Sequence, residues 1–157
     1  ATGSLTGTAT ITAVNTANAV VMYLGNSTTD TTSFIGRVAS RLDLTNSTTV
    51  TCTSRDNVAT KTVSFVVLEF APGVIRSLQP GTLNIPTGQQ SNTATITTVD
   101  TAKTFLVWNN QDSNTAGTND QGYARLTLTN ATTLTATQGA VASGGNITTN
   151  YTVLEFF

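Results

Sequence analysis

The chain has no histidine among its 157 residues. Imidazole acid–base catalysis, Ser-His and Cys-His nucleophiles and the common zinc sites are therefore excluded. Paired carboxylates could still work as acid and base. Only eight Asp and Glu are available, however, and most fall in turn-like or threonine-rich segments. Cys52 is the sole cysteine, so no internal disulfide can form. The run from Asp112 to Gly117, followed by Asp120, partly resembles a calcium loop. Its fifth position is Ala116 rather than Asp or Asn, and its twelfth is Tyr123 rather than the bidentate Glu such loops require. That segment reads as a solvated loop. Asn26, Asn46, Asn130 and Asn146 each begin an Asn-x-Ser/Thr sequon, which a chain rich in Asn and Thr produces by composition. We expect no catalytic residue, no metal, no cofactor and no enzymatic activity.

Three blocks recur in the same order. TATITAVNTA (Thr8–Ala17) returns as TATITTVDTA (Thr93–Ala102), RLDLTNSTTVTCT (Arg41–Thr53) as RLTLTNATTLTAT (Arg125–Thr137), and VLEF occurs at Val67–Phe70 and Val153–Phe156. The offset stays between 84 and 86 residues. The blocks predict two units related by internal duplication, residues 1–72 and 73–157, with the boundary near Ala71-Pro72-Gly73. The second unit has a lead-in, Gly73–Gly88, that the first lacks, so the missing strand has been removed or is supplied by a neighbour.

The repeat also serves as a control on single residues. Cys52 corresponds to Ala136, which suggests a small packing residue at both places. Arg41 matches Arg125 and Glu69 matches Glu155. Charges kept in both copies of a chain with 10% charged residues predict one ion pair per unit, Arg41 with Glu69 and Arg125 with Glu155, on neighbouring strands. Tyr23 and Trp108 share a repeat position and could stack on a sugar or bury area at an interface.

Threonine supplies nearly a quarter of the residues. Its β-branched side chain suits a pleated strand. In Thr8–Val14 the apolar Ala9, Ile11 and Ala13 alternate with threonines, the mark of a half-buried strand. Further strands are expected at Phe34–Leu44, at Thr49–Thr53 and in the lead-in, with Asn- and Gly-rich turns between them. The segment Asn109–Gly122 reads as a loop longer than its partner near Gly25–Gly36. No segment of ten residues shows helical periodicity. The fold class is therefore all-β: two tandem antiparallel β-sandwich or barrel units of five to six strands.

Net charge is −1, and the seven Lys and Arg form no basic run, which argues against a nucleic-acid partner. No apolar stretch approaches the roughly 18–20 residues that cross a bilayer as a helix. Ala19–Leu24, Thr104–Trp108, Phe65–Phe70 and Tyr151–Phe156 are apolar on both faces. One face lines a unit's own core, and the other needs a second layer from the other unit or another chain. Val21, Tyr23, Phe65, Val67, Leu106 and Trp108 are the candidate interface residues.

The blocks TATIT-x-V-[DN]-TA, ARLTLTNATT and the closing VLEF resemble a module of structural proteins from tailed bacteriophages and prophages. The resemblance covers nearly all of the second copy and most of the first. It implies a non-enzymatic virion protein on the exterior surface of the particle, most simply a capsid decoration or head accessory protein. The alternative is a tail-fibre, receptor-binding or carbohydrate-binding adhesin module that contacts a host surface glycan. The implied partners are phage capsid or tail proteins and the chain itself, as a homo-oligomer for which the resemblance favours a trimer.

Overall fold

A computed structural model describes residues 5–31, 38–55, 57, 59–113, 119–141 and 145–157. Eleven strands carry the described chain: β1 (Thr6–Thr10), β2 (Ala19–Thr28), β3 (Ser40–Asn46), β4 (Thr49–Ser54), β5 (Lys61–Glu69), β6 (Ile75–Ile85), β7 (Ser91–Thr95), β8 (Thr104–Ser113), β9 (Ala124–Asn130), β10 (Thr133–Gln138) and β11 (Ile147–Phe156). A 3-10 turn at Thr101–Lys103 and a one-turn helix α1 at Asn119–Gly122 lie between strands. Every strand pairing is antiparallel.

The strands form four sheets: β1-β4-β3 and β2-β5 in the first half, β7-β10-β9 and β6-β11-β8 in the second. Each half places two sheets face to face. Val21 of β2 packs on Leu42 and Val50, with Val63, Phe65 and Val67 of β5 beside them. In the second half, Ile147 and Val153 of β11 and Leu83 and Ile85 of β6 pack on Leu134 and Ala136. The alternation of threonine with small apolar residues produces this: one side of each ladder is inward and the other faces water.

Equivalent positions in the two halves do equivalent work. Asn46 Oδ1 accepts from Thr48 N at 2.9 Å, and Asn130 Oδ1 accepts from Thr132 N at the same distance, so each Asn closes its hairpin with its own side chain. The pairing slips between Tyr23 and Gly25 of β2 and between Thr149 and Tyr151 opposite β8. The bulges place Gly25 (φ 148°) and Asn110 (φ 64°), 85 residues apart, in backbone conformations that favour Gly and Asn.

Several strand bounds differ from expectation. β1 stops at Thr10 because its partner β4 begins at the hairpin. The next amides, Ile11 N and Val14 N, bond to the loop carbonyls of Thr48 and Ser47 instead. The lead-in is one continuous strand through Pro80. Proline fits because β6 is an edge strand, where the missing N–H can face away from the ladder. Asn109–Ser113 is not loop but the buried end of β8. The expected strand start at Phe34 lies outside the described residues. The expected boundary at Ala71-Pro72-Gly73 falls in the turn between β5 and β6, where Gly73 has φ 83°.

Candidate functional site at the junction of the two units

The second apolar faces of β2 and β11 meet across the chain. Val20 packs with Ile75, Val107 and Leu154, and Met22, Phe70, Leu78 and Phe156 surround them. The Phe70 and Phe156 rings sit edge to face at 5.9 Å. At ~25 cal/mol per Å2 of apolar area removed from water, a cluster of this size contributes several kcal/mol to holding the halves together.

Beside it lies a polar seam. Asn109, Asn110, Gln111, Asp112 and Ser113 of β8 are all buried, as are Thr148–Asn150 of β11. β3 is an edge strand, and its free carbonyls are met by side chains from the other unit. Asn110 Nδ2 donates to Ser40 O at 2.8 Å, and Asn150 Nδ2 donates to Leu42 O at 3.0 Å. An exposed edge of that kind invites foreign strands, and here the second unit seals it. Gln111 turns the other way, accepting from Ala124 N and donating to Gly122 O, so it fixes the start of β9. Asn26, 85 residues earlier, donates to Val38 O, two residues before β3.

Asp112, 1% exposed at its side chain, is the ionic centre of the seam. Arg41 Nε lies 2.5 Å from its Oδ2 and Arg55 Nη1 3.9 Å from its Oδ1, and Arg55 Nη2 donates to Asn146 Oδ1 at 2.6 Å. Taking a carboxylate out of water costs least when cations and hydrogen bonds replace its hydration: Arg41 bonds Oδ2, and Arg55 sets its charge near Oδ1, which accepts no hydrogen bond among the described residues. This bears on the partial calcium-loop pattern. Asp112 is engaged by guanidinium groups, Asn114 to Thr118 lie outside the described residues, and no cluster of three or more His, Cys, Asp or Glu that could hold a metal occurs among the described residues.

The structure redistributes the expected ion pairs. Arg41 pairs with Asp112 and not with Glu69. Glu69 Oε1 instead accepts from Asn15 N at 2.8 Å, and Glu155 Oε1 accepts from Asp100 N at 2.8 Å, the same bond in both units. Glu155 also accepts from Ser77 Oγ and lies 3.5 Å from Arg76 Nη1. Arg125 is exposed and forms no ion pair among the described residues. Each glutamate accepts from a backbone amide, which a count of charges does not reveal.

The six candidate interface residues divide. Val21, Phe65 and Val67 belong to the first unit's own core, and Leu106 packs against that of the second. Val20 and Met22 of β2 and Val107 of β8, together with Leu154 of β11, form the junction. Tyr23 and Trp108 meet each other edge to face at 6.2 Å. Trp108 Nε1 donates to Thr149 Oγ1 at 2.9 Å, and Tyr23 donates to Asn26 Oδ1. The pair is tied to the seam rather than laid out as a flat sugar platform. Burial and nearby Tyr123 and Cys52 push the Tyr23 phenol up, and burial alone pushes up Tyr151. The sequon side chains Asn26, Asn46, Asn130 and Asn146 all make hydrogen bonds within the chain.

Compared with family models, curated proteins and solved structures, the chain matches none.

Proposed function

We propose that the protein is a non-enzymatic structural component of a phage virion, a capsid decoration or head accessory protein that works by assembly. The observation that supports this reading best is the purpose to which the chain's few charges are put. Arg41, Arg55 and Asp112 tie the two sandwiches together, and Glu69 and Glu155 hold turns. A double sandwich cross-linked in this way is a stiff unit, suited to bearing load on a particle. The repeated sequence blocks point to the same class.

The two-faced strands now have a partner within the chain, so they do not by themselves require a second copy. Large apolar residues still exposed on these strands are Leu24, Leu68, Phe105 and Trp108. Those are the residues through which we propose contact with capsid proteins or with a trimer mate. Incubating labelled protein with particles and imaging them tests the reading. Label over the head supports it, and label confined to tails, or binding on a glycan array, overturns it in favour of an adhesin. Sedimentation at micromolar concentration tests the trimer, which a clean 16.3 kDa species overturns.

A further inference from the structure

The seam uses one place on the first unit, where Arg41, Arg55 and the Ser40 carbonyl receive Asp112 and Asn110 of β8. The matching place on the second unit is a cleft of about 480 Å3, lined by Tyr123, Ala124, Arg125, Gln138 and Gly139.

The two places are built alike. Ala124, Arg125 and Gly139 stand where the first unit has Ser40, Arg41 and Arg55. Arg125 lies opposite Thr137 in its ladder, as Arg41 lies opposite Thr53. Gln138 N donates to Gln90 O at 3.0 Å, as Ser54 N donates to Leu5 O at 2.7 Å. What occupies them differs. Asp112 lies on Arg41, whereas Arg125 is exposed and has no ion pair among the described residues. Gln138, 2% exposed, donates through Nε2 to Gln89 O, and its Oε1 is buried without a hydrogen-bond partner. An unsatisfied buried acceptor carries a desolvation penalty that a donor on a ligand relieves. Tyr123, 47% exposed, adds a ring that can cover the apolar stem of an acidic side chain.

We propose that this cleft binds an acidic peptide segment, an aspartate with an amide donor beside it, as the first unit binds Asp112 and Asn110. The carboxylate lies on the Arg125 guanidinium, whose planar fork suits a two-oxygen anion. The neighbouring amide donates to Gln138 Oε1. Gly139 in the place of Arg55 leaves one cation instead of two, so binding is weaker than in the seam and sensitive to salt. A second copy of this chain does not repeat the seam here. Its β2, the counterpart of β8, carries Leu24, Gly25 and Ser27 in place of Asn109, Asn110 and Asp112, and so brings neither carboxylate nor carboxamide at those positions. The proposal is independent of the virion reading and stands if no particle binds the protein.

The test titrates the full chain with the blocked peptide acetyl-NNQDS-amide, a copy of Asn109–Ser113, to about 10 mM, and follows the side-chain resonances of Arg125 and Gln138 by NMR. We expect saturable shifts at both side chains, with a Kd of about 1–5 mM at low salt. Affinity should fall about fivefold on Arg125→Ala, on exchanging the peptide's aspartate for asparagine, and on raising salt from about 0.05 to about 0.5 M. No saturable shift at Arg125, equal affinity for the asparagine peptide, or shifts confined to Arg41 and the seam would each overturn the assignment. So would Arg125-dependent self-association of the protein alone, which would give the cleft to a second copy.

Discussion

β5 and β11 carry the same repeated block, yet among the described residues β5 pairs on one side only and β11 is the most buried strand. Nine of the ten residues of β11 are buried, from Ile147 to Glu155. None of the nine in β5 is fully buried. What differs is the company. β11 lies between β6 and β8, with the first unit against its outer face, while β5 pairs with β2 alone among the described residues. A strand's burial is a property of its sheet position, not of its own residues, so identical sequences carry different stakes in stability.

Paired substitutions at equivalent positions sharpen this contrast. The largest difference should come from Leu154, 1% exposed in the junction cluster, against its counterpart Leu68, 40% exposed. Leu154→Ala should destabilise by about 3–4 kcal/mol and Leu68→Ala by about 1 kcal/mol or less in denaturant unfolding. Equal losses would mean that the second face of β11 is not held by the first unit.

Next come Asp112 and its counterpart Ser27. Asp112→Ala leaves Arg41 and Arg55 facing a buried seam without their anion, and should remove about 2–4 kcal/mol, less than for a fully enclosed pair because both arginines retain some water contact. Ser27→Ala, on an exposed site of β2, should stay within about 0.5 kcal/mol. Arg41→Ala against Arg125→Ala repeats the test from the cation side and should show the same ordering.

A smaller gap separates the two glutamates. Glu155 is buried and accepts from Asp100 N and Ser77 Oγ, whereas Glu69 is exposed and accepts from Asn15 N. Glu155→Gln should cost about 1.5–3 kcal/mol and Glu69→Gln about 0.5–1 kcal/mol. Amide exchange at Asp100 and Asn15 would show whether each loss arises at the bond named.

The smallest effect is alkaline. Burial pushes the Cys52 thiol above its ordinary range, with a hydrogen bond from Ser40 and the charges of Lys61 and the amino terminus opposing it. The folded state therefore keeps its proton to higher pH than the unfolded state does. Stability should decline as pH rises through the ordinary thiol range, and should stop declining once the folded thiol also ionises. Cys52→Ala should flatten that part of the profile without changing it at neutral pH, and an unchanged slope would mean that the fold leaves Cys52 as free as in the unfolded chain.

The sequence by itself determined the all-β class, the strand set and the hairpin turns, because these depend on local facts. Alternating Thr and aliphatic residues set a two-residue period, and Asn46 and Asn130 close their turns with side chains two residues from their targets. The repeat also flagged Glu69 and Glu155 as special, though not for the backbone amides they hold. Only the tertiary structure decided which partners lie far apart in the chain. Arg41 finds Asp112 across 71 residues, and Asn150 finds Leu42 across 108. Reading the units as independent copies hid this, because the seam uses residues in which the copies differ: Asn109, Asn110 and Asp112 stand where the first unit has Leu24, Gly25 and Ser27. Periodicity reports what a strand does to its own sheet. Which sheet faces which, and which edge is left open, is settled by long-range packing that no local pattern encodes.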